Sequence, residues 1–90
     1  MPQEPWTAKS LGDDRFQFTN ISGGKLAMIT LLPTGDTEVV VEDGAEGDPH
    51  AVPAPVDADD SFVAVVRGQG LTINATKVPS MTHVYWEMTL

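Results

Sequence analysis

Apolar and polar residues alternate along much of this chain with a period of two. From Arg15 to Ile21 the run Arg-Phe-Gln-Phe-Thr sets Phe16 and Phe18 on one face and Arg15, Gln17 and Thr19 on the other. That spacing is the signature of a half-buried β-strand. Ser22-Gly23-Gly24 turns the chain, and Lys25 to Leu32 follows, apolar on both faces: Leu26, Met28 and Leu32 on one, Ala27, Ile29 and Leu31 on the other. Pro33-Thr34-Gly35-Asp36 reads as the next turn. Thr37 to Glu42 centres on Val39-Val40-Val41, whose β-branched side chains suit a pleated surface.

Farther along, Ser61 to Arg67 places Phe62, Ala64 and Val66 on one face and Val63 and Val65 on the other. Gly68-Gln69-Gly70 turns it. Leu71 to Val78 points Leu71, Ile73 and Ala75 inward and Thr72, Asn74 and Thr76 outward. After the break at Pro79-Ser80, Thr82 to Leu90 groups Val84, Trp86, Met88 and Leu90 against His83, Tyr85, Glu87 and Thr89. Residues 43–60 form the irregular part, an acidic loop rich in Pro and Gly with room for one short edge segment near Ala51 to Val56. Residues 1–14 read as an N-terminal arm. No window free of Gly and Pro carries helical apolar spacing over 11 residues or more. The pattern predicts one all-β domain, a small antiparallel sandwich of about seven strands. A small open β-barrel is the second choice.

Composition narrows the class. The chain has 90 residues, 41% of them hydrophobic, enough for one core and too many for a disordered chain. A chain this short buries only about 60–65% of the surface it exposes when unfolded. It has no cysteine, so neither disulfides nor thiolate metal sites enter the picture. Met1 to Leu11 shows no basic start followed by an apolar run, so no secretory signal is read, and no stretch approaches the ~20 apolar residues of a membrane span. The expectation is a soluble chain, cytoplasmic when made, without membrane insertion.

Charge is unevenly placed. The net charge is −8, yet Asp36 to Asp60 holds nine of the 13 acidic residues and no Lys or Arg, leaving four acids against five bases elsewhere. Without a basic cluster, direct binding to nucleic acid is not expected.

The order of these features resembles that of bacterial immunoglobulin-like domains of the adhesion-related type. Phe16-Gln-Phe-Thr-Asn-Ile-Ser-Gly-Gly24 looks like their opening strand and turn, and Leu31-Leu-Pro-Thr-Gly35 like the apolar strand that follows. Asp59-Asp-Ser-Phe-Val-Ala-Val-Val66 resembles their acidic turn and Ser-Phe strand, and His83-Val-Tyr-Trp86 their late Trp-bearing strand. The likeness spans roughly residues 15–90, and Asp57-Ala-Asp-Asp60 stands where those domains carry Pro-Gly. It implies an immunoglobulin-like fold and an adhesive or decorating role, as on tailed-phage virions, and it supplies no catalytic residues.

Candidate chemistry is sparse. Asp43, Glu46 and Asp48, or Asp57, Asp59 and Asp60, offer oxygen ligands for calcium, but Asp43-Gly-Ala-Glu-Gly-Asp48 puts Gly and Ala at ligand positions of the known loop pattern. A solvated, self-repelling loop is the simpler reading. His50 and His83 have no second His at metal spacing and no paired nucleophile. Asn20-Ile-Ser22 and Asn74-Ala-Thr76 match a glycosylation sequon, but Asn20 is better placed to bond the backbone of its turn. No catalytic residue, metal or cofactor is expected.

What remains is binding to a protein partner or self-association into a homo-oligomer or larger assembly. Val63, Val65, Tyr85, Ile29, Leu31 and Trp6 are the candidate contact residues. The competing reading covers these strand faces with Trp6 and the N-terminal segment. A second functional reading is a small regulator or inhibitor that presents Asp43, Glu46, Asp48, Asp57, Asp59 and Asp60 to a basic partner.

Overall fold

The computed structural model describes residues 4–42, 44 and 46–90. It contains eight strands: β1 (Trp6–Gly12), β2 (Arg15–Asn20), β3 (Leu26–Pro33), β4 (Glu38–Val41), β5 (Ala51–Val52), β6 (Ser61–Arg67), β7 (Gly70–Lys77) and β8 (Thr82–Thr89). No described residue is helical. Two four-stranded antiparallel sheets form, one ordered β1-β2-β6-β4 and the other β5-β3-β7-β8. No described strand of one sheet pairs with a strand of the other, so the architecture is a sandwich and not a barrel.

The core follows from the alternation. Phe18 on β2, Ala64 and Val66 on β6, and Val39 and Val41 on β4 face Leu26, Ile29 and Leu31 on β3 and Leu71, Ile73 and Ala75 on β7. Three rings form its aromatic centre: Phe18 stacks on Phe62 at 5.3 Å, and Trp6 meets Phe62 edge-on at 5.4 Å. Such pairs add about 0.5–1.5 kcal/mol to area burial.

The 1–14 arm is corrected over most of its length. Trp6–Gly12 is a strand, in register with β2 from Trp6 opposite Asn20 to Gly12 opposite Arg15. Only Trp6 is deeply buried along it, so the small and polar residues that follow dilute the period.

In β3 the two alternating apolar faces read from the sequence are not kept along the strand. Leu26, Ile29 and Leu31 point into the core, while Met28 and Leu32 are exposed. The cause is one extra residue. The register against β7 shifts between Ala27 and Thr30, and Met28 sits at φ 52°. A β-bulge of this kind reverses which parity faces inward.

Residues 46–60, within the expected 43–60 loop, also carry more regular pairing than their composition implies. After Val41 the chain crosses to pair β5 with β3, and Val56 forms an isolated bridge with Leu26. Val41 N–H donates to Pro49 C=O (2.7 Å), and Leu31 N–H donates to His50 C=O (2.8 Å). This segment closes one flank of the sandwich. The β6–β7 turn depends on Gly68, at φ 139°, where a Cβ would lie 2.6 Å from Thr37 Oγ1 and 2.8 Å from Thr37 Cα. Only glycine lets the two turns pass this closely.

Candidate functional site

The outer face of the β1-β2-β6-β4 sheet carries a stripe of three valines, Val40, Val63 and Val65. On β6, Val63 and Val65 point away from the core because Phe62, Ala64 and Val66 point into it. Pairing with β4 sets Val40 beside Val65 and Glu38 beside Arg67. Pairing with β2 sets Arg15 beside Val65 and Gln17 beside Val63. Val40 is 53% exposed, and Val63 and Val65 are half-buried by these neighbours.

Charged groups frame this stripe. Arg15 donates from Nε and Nη2 to Glu42 Oε2, both at 3.0 Å, and Arg67 approaches Asp14 at 3.8 Å. The pairs are exposed and add little stability. They do fix the guanidinium of Arg15 beside the valines. Next to the stripe lies an open cleft of about 410 Å³, lined by Arg15, Glu42, Val52, Pro53 to Val56, Phe62 and Val63. Val63, Arg15 and Glu42 belong to both, so stripe and cleft form one surface.

The other predicted contact residues do not join it. Ile29, Leu31 and Trp6 are buried in the core, at 1%, 0% and 0% exposure, and are unable to touch a partner in the folded state. Tyr85 is 54% exposed but sits on the outer face of the β5-β3-β7-β8 sheet, on the opposite side of the sandwich from Val63 and Val65. There Tyr85 donates to Glu87 Oε1 (3.2 Å) beside Asn74, Thr76 and His83, a mainly polar surface, while Thr72 on the same face is buried. Val40 was missed in the sequence as a contact residue. Its alternation with Val39 and Val41 was visible, but its place beside Val65 depends on a long-range pairing.

The acidic residues divide as well. Asp43 lies outside the described residues. Glu46 and Asp48 sit in the turn before β5, where Asp48 Oδ1 accepts from His50 N–H (3.0 Å). Asp57, Asp59 and Asp60 sit at the other end of β3, beyond the Leu26–Val56 bridge. By the strand rise the two groups are roughly 15–20 Å apart. Among the described residues no three metal-ligating side chains come together.

The second group is tied to structure. Asp57 pairs with Lys25 at 3.4 Å, and the turn closes on Asn20, which is fully buried. Asn20 Nδ2 donates to the carbonyls of Gly24, Val56 and Asp57 at 2.8, 2.9 and 3.2 Å, and its Oδ1 accepts from Ser22 N–H and Ser22 Oγ. Its backbone N–H donates to Asp60 C=O, and its C=O accepts from Asp59 N–H. Asn20 therefore serves the turn, as its sequence position implied, and also locks a loop more than thirty residues away.

The two histidines lie far apart in the fold, His50 before β5 and His83 on β8. His83 Nε2 lies 3.1 Å from Asn74 Oδ1, and His50 engages Asp48 through its backbone. No described helix is long and apolar enough to cross a membrane. Compared with known proteins, the chain matches no family model, no curated protein and no solved structure.

Proposed function

We propose that this domain is a non-enzymatic interaction module that docks another protein on the surface formed by Val40, Val63, Val65 and the adjoining Pro53–Pro55 cleft. The observation that carries the reading is Val40: a β-branched side chain 53% exposed on a rigid sheet, aligned with two more valines and framed by opposite charges. An apolar centre with a polar rim that includes Arg is the usual anatomy of a protein-binding patch. A role in a larger assembly, such as decoration of a virion surface, follows from the sequence resemblance and extends this reading. The acidic-loop regulator has less support, because its described acids occupy two separate turns.

The test is a double variant, Val40→Lys with Val65→Lys, used beside the unaltered domain to recover bound proteins from the native source. Both changes point to solvent and leave the core intact. The expected result is a folded variant, by circular dichroism, that loses a protein retained by the unaltered domain. Recovery of the same proteins in the same amounts from both sinks the proposal.

A further inference from the structure

A sheet edge exposes a row of unpaired N–H and C=O groups, and stable monomers blunt such edges with short strands, bulges, proline or lysine. The sandwich has four edge strands: β1, β4, β5 and β8. β5 has two residues and β4 has four, while β1 carries Lys9 and breaks register between Ser10 and Gly12. Among the described residues β8 has none of these devices. It runs eight residues from Thr82 to Thr89 in unbroken register with β7, without Pro, Lys or bulge.

Its free groups can be identified. Leu90 N–H donates to Gln69 C=O (2.7 Å), so by the alternation of an antiparallel ladder Met88, Trp86 and Val84 also bond toward β7. The N–H and C=O groups of His83, Tyr85, Glu87 and Thr89 are then directed at the open edge. The acid-rich stretch does not interfere, because β4 and β5 lie at the far flank.

We propose that β8 pairs antiparallel with β8 of a second copy, about a twofold axis at Tyr85, joining the two β5-β3-β7-β8 sheets into one. The axis position follows from charge and parity. It sets Tyr85 opposite the partner's Tyr85 and His83 opposite the partner's Glu87, twice by symmetry. Every edge-directed group of His83, Tyr85 and Glu87 then meets another of the same parity, and on the inner face Val84 meets the partner's Trp86. An axis at Glu87 would oppose two carboxylates, which is destabilising. An axis at Trp86 would leave His83 opposite Thr89. The contact is independent of the valine surface on the other sheet.

Sedimentation of the full chain across a wide concentration range tests this. The expected result is a reversible dimer that Tyr85→Lys weakens by about tenfold or more, with melting unchanged when measured on the dilute monomer. Tyr85→Pro removes a donor on the free side only and has the same expected effect, should the lysine variant fold poorly. Glu87→Lys and His83→Glu should each weaken the dimer, and the two together should restore it. A chain that stays monomeric at every concentration overturns the proposal, as does a dimer indifferent to both Tyr85 variants. A dimer lost only in the Val40→Lys, Val65→Lys protein assigns the contact to the valine surface instead and overturns this one.

Discussion

The two flanks of the sandwich are finished differently. At the β4/β5 flank the chain itself bridges the sheets, with Val41 bonded to Pro49, Leu31 to His50 and Leu26 to Val56, and Asn20 fastening the end. At the β1/β8 flank no segment of the described residues pairs across the sheets. Phe16, Trp86, Met88 and Leu90 are only partly covered there and line an open cleft of about 600 Å³ with Trp6. Among the described residues, one flank is held by backbone hydrogen bonds and the other by side chains. Stability at the first should depend on polar satisfaction, and at the second on packed volume.

The largest effect is expected at Trp6, the side chain that fills the open flank. Its indole is 0% exposed and rests edge-on against Phe62, and its Nε1 has no hydrogen-bond acceptor among the described residues. Trp6→Ala should cost about 3–5 kcal/mol, read from urea unfolding. A loss under 1 kcal/mol would mean that the flank is not held by packing. Asn20 is the corresponding residue at the closed flank. Asn20→Ala strips an acceptor from Ser22 N–H and the donor from three carbonyls, and should cost about 2–4 kcal/mol. Amide exchange should quicken first at Leu26, Val56 and Asp59. Uniform quickening across both flanks would erase the distinction.

Trp86 gives a smaller effect despite its equal size. It lies on an edge strand and is only half-buried, so Trp86→Ala should cost about 1–2 kcal/mol, measured in the same way. A loss matching that of Trp6 would show the open flank to be as tightly packed as the core. The pair also shows what the sequence could reveal. Alternation placed Trp86 correctly on the inner face of β8, but depth depends on where a strand lies in its sheet, and that is set by distant pairings. Trp6 had no alternating partner of comparable size, so the strand it opens read as an arm.

The same limit applies elsewhere. The faces of β2, β6, β7 and β8 were legible because each runs without interruption, and so was the sandwich itself. The inner face of β3 was not, because its apolar residues occupy both parities and one bulge decides between them. The proposed binding surface was half legible. Val63 and Val65 were visible as outward residues, whereas the company of Val40 and the separation from Tyr85 are products of topology.

Met28 is where the closed flank departs from the simple period, and it yields the smallest prediction. It is 67% exposed at φ 52°, so its side chain contributes little packing while its Cβ occupies a left-handed conformation. That conformation costs a non-glycine residue about 1–2 kcal/mol. Met28→Gly removes the strain but adds freedom to the unfolded chain, an opposing term of about 0.4–1 kcal/mol. The net should be a gain of roughly 0.5 kcal/mol, seen as a small rise in the urea midpoint at constant slope. Met28→Val should move the other way, because a β-branched side chain tolerates a positive φ least. If Val stabilises and Gly does not, Met28 lies in ordinary extended backbone. The bulge would then no longer account for Ile29 and Leu31 facing the core.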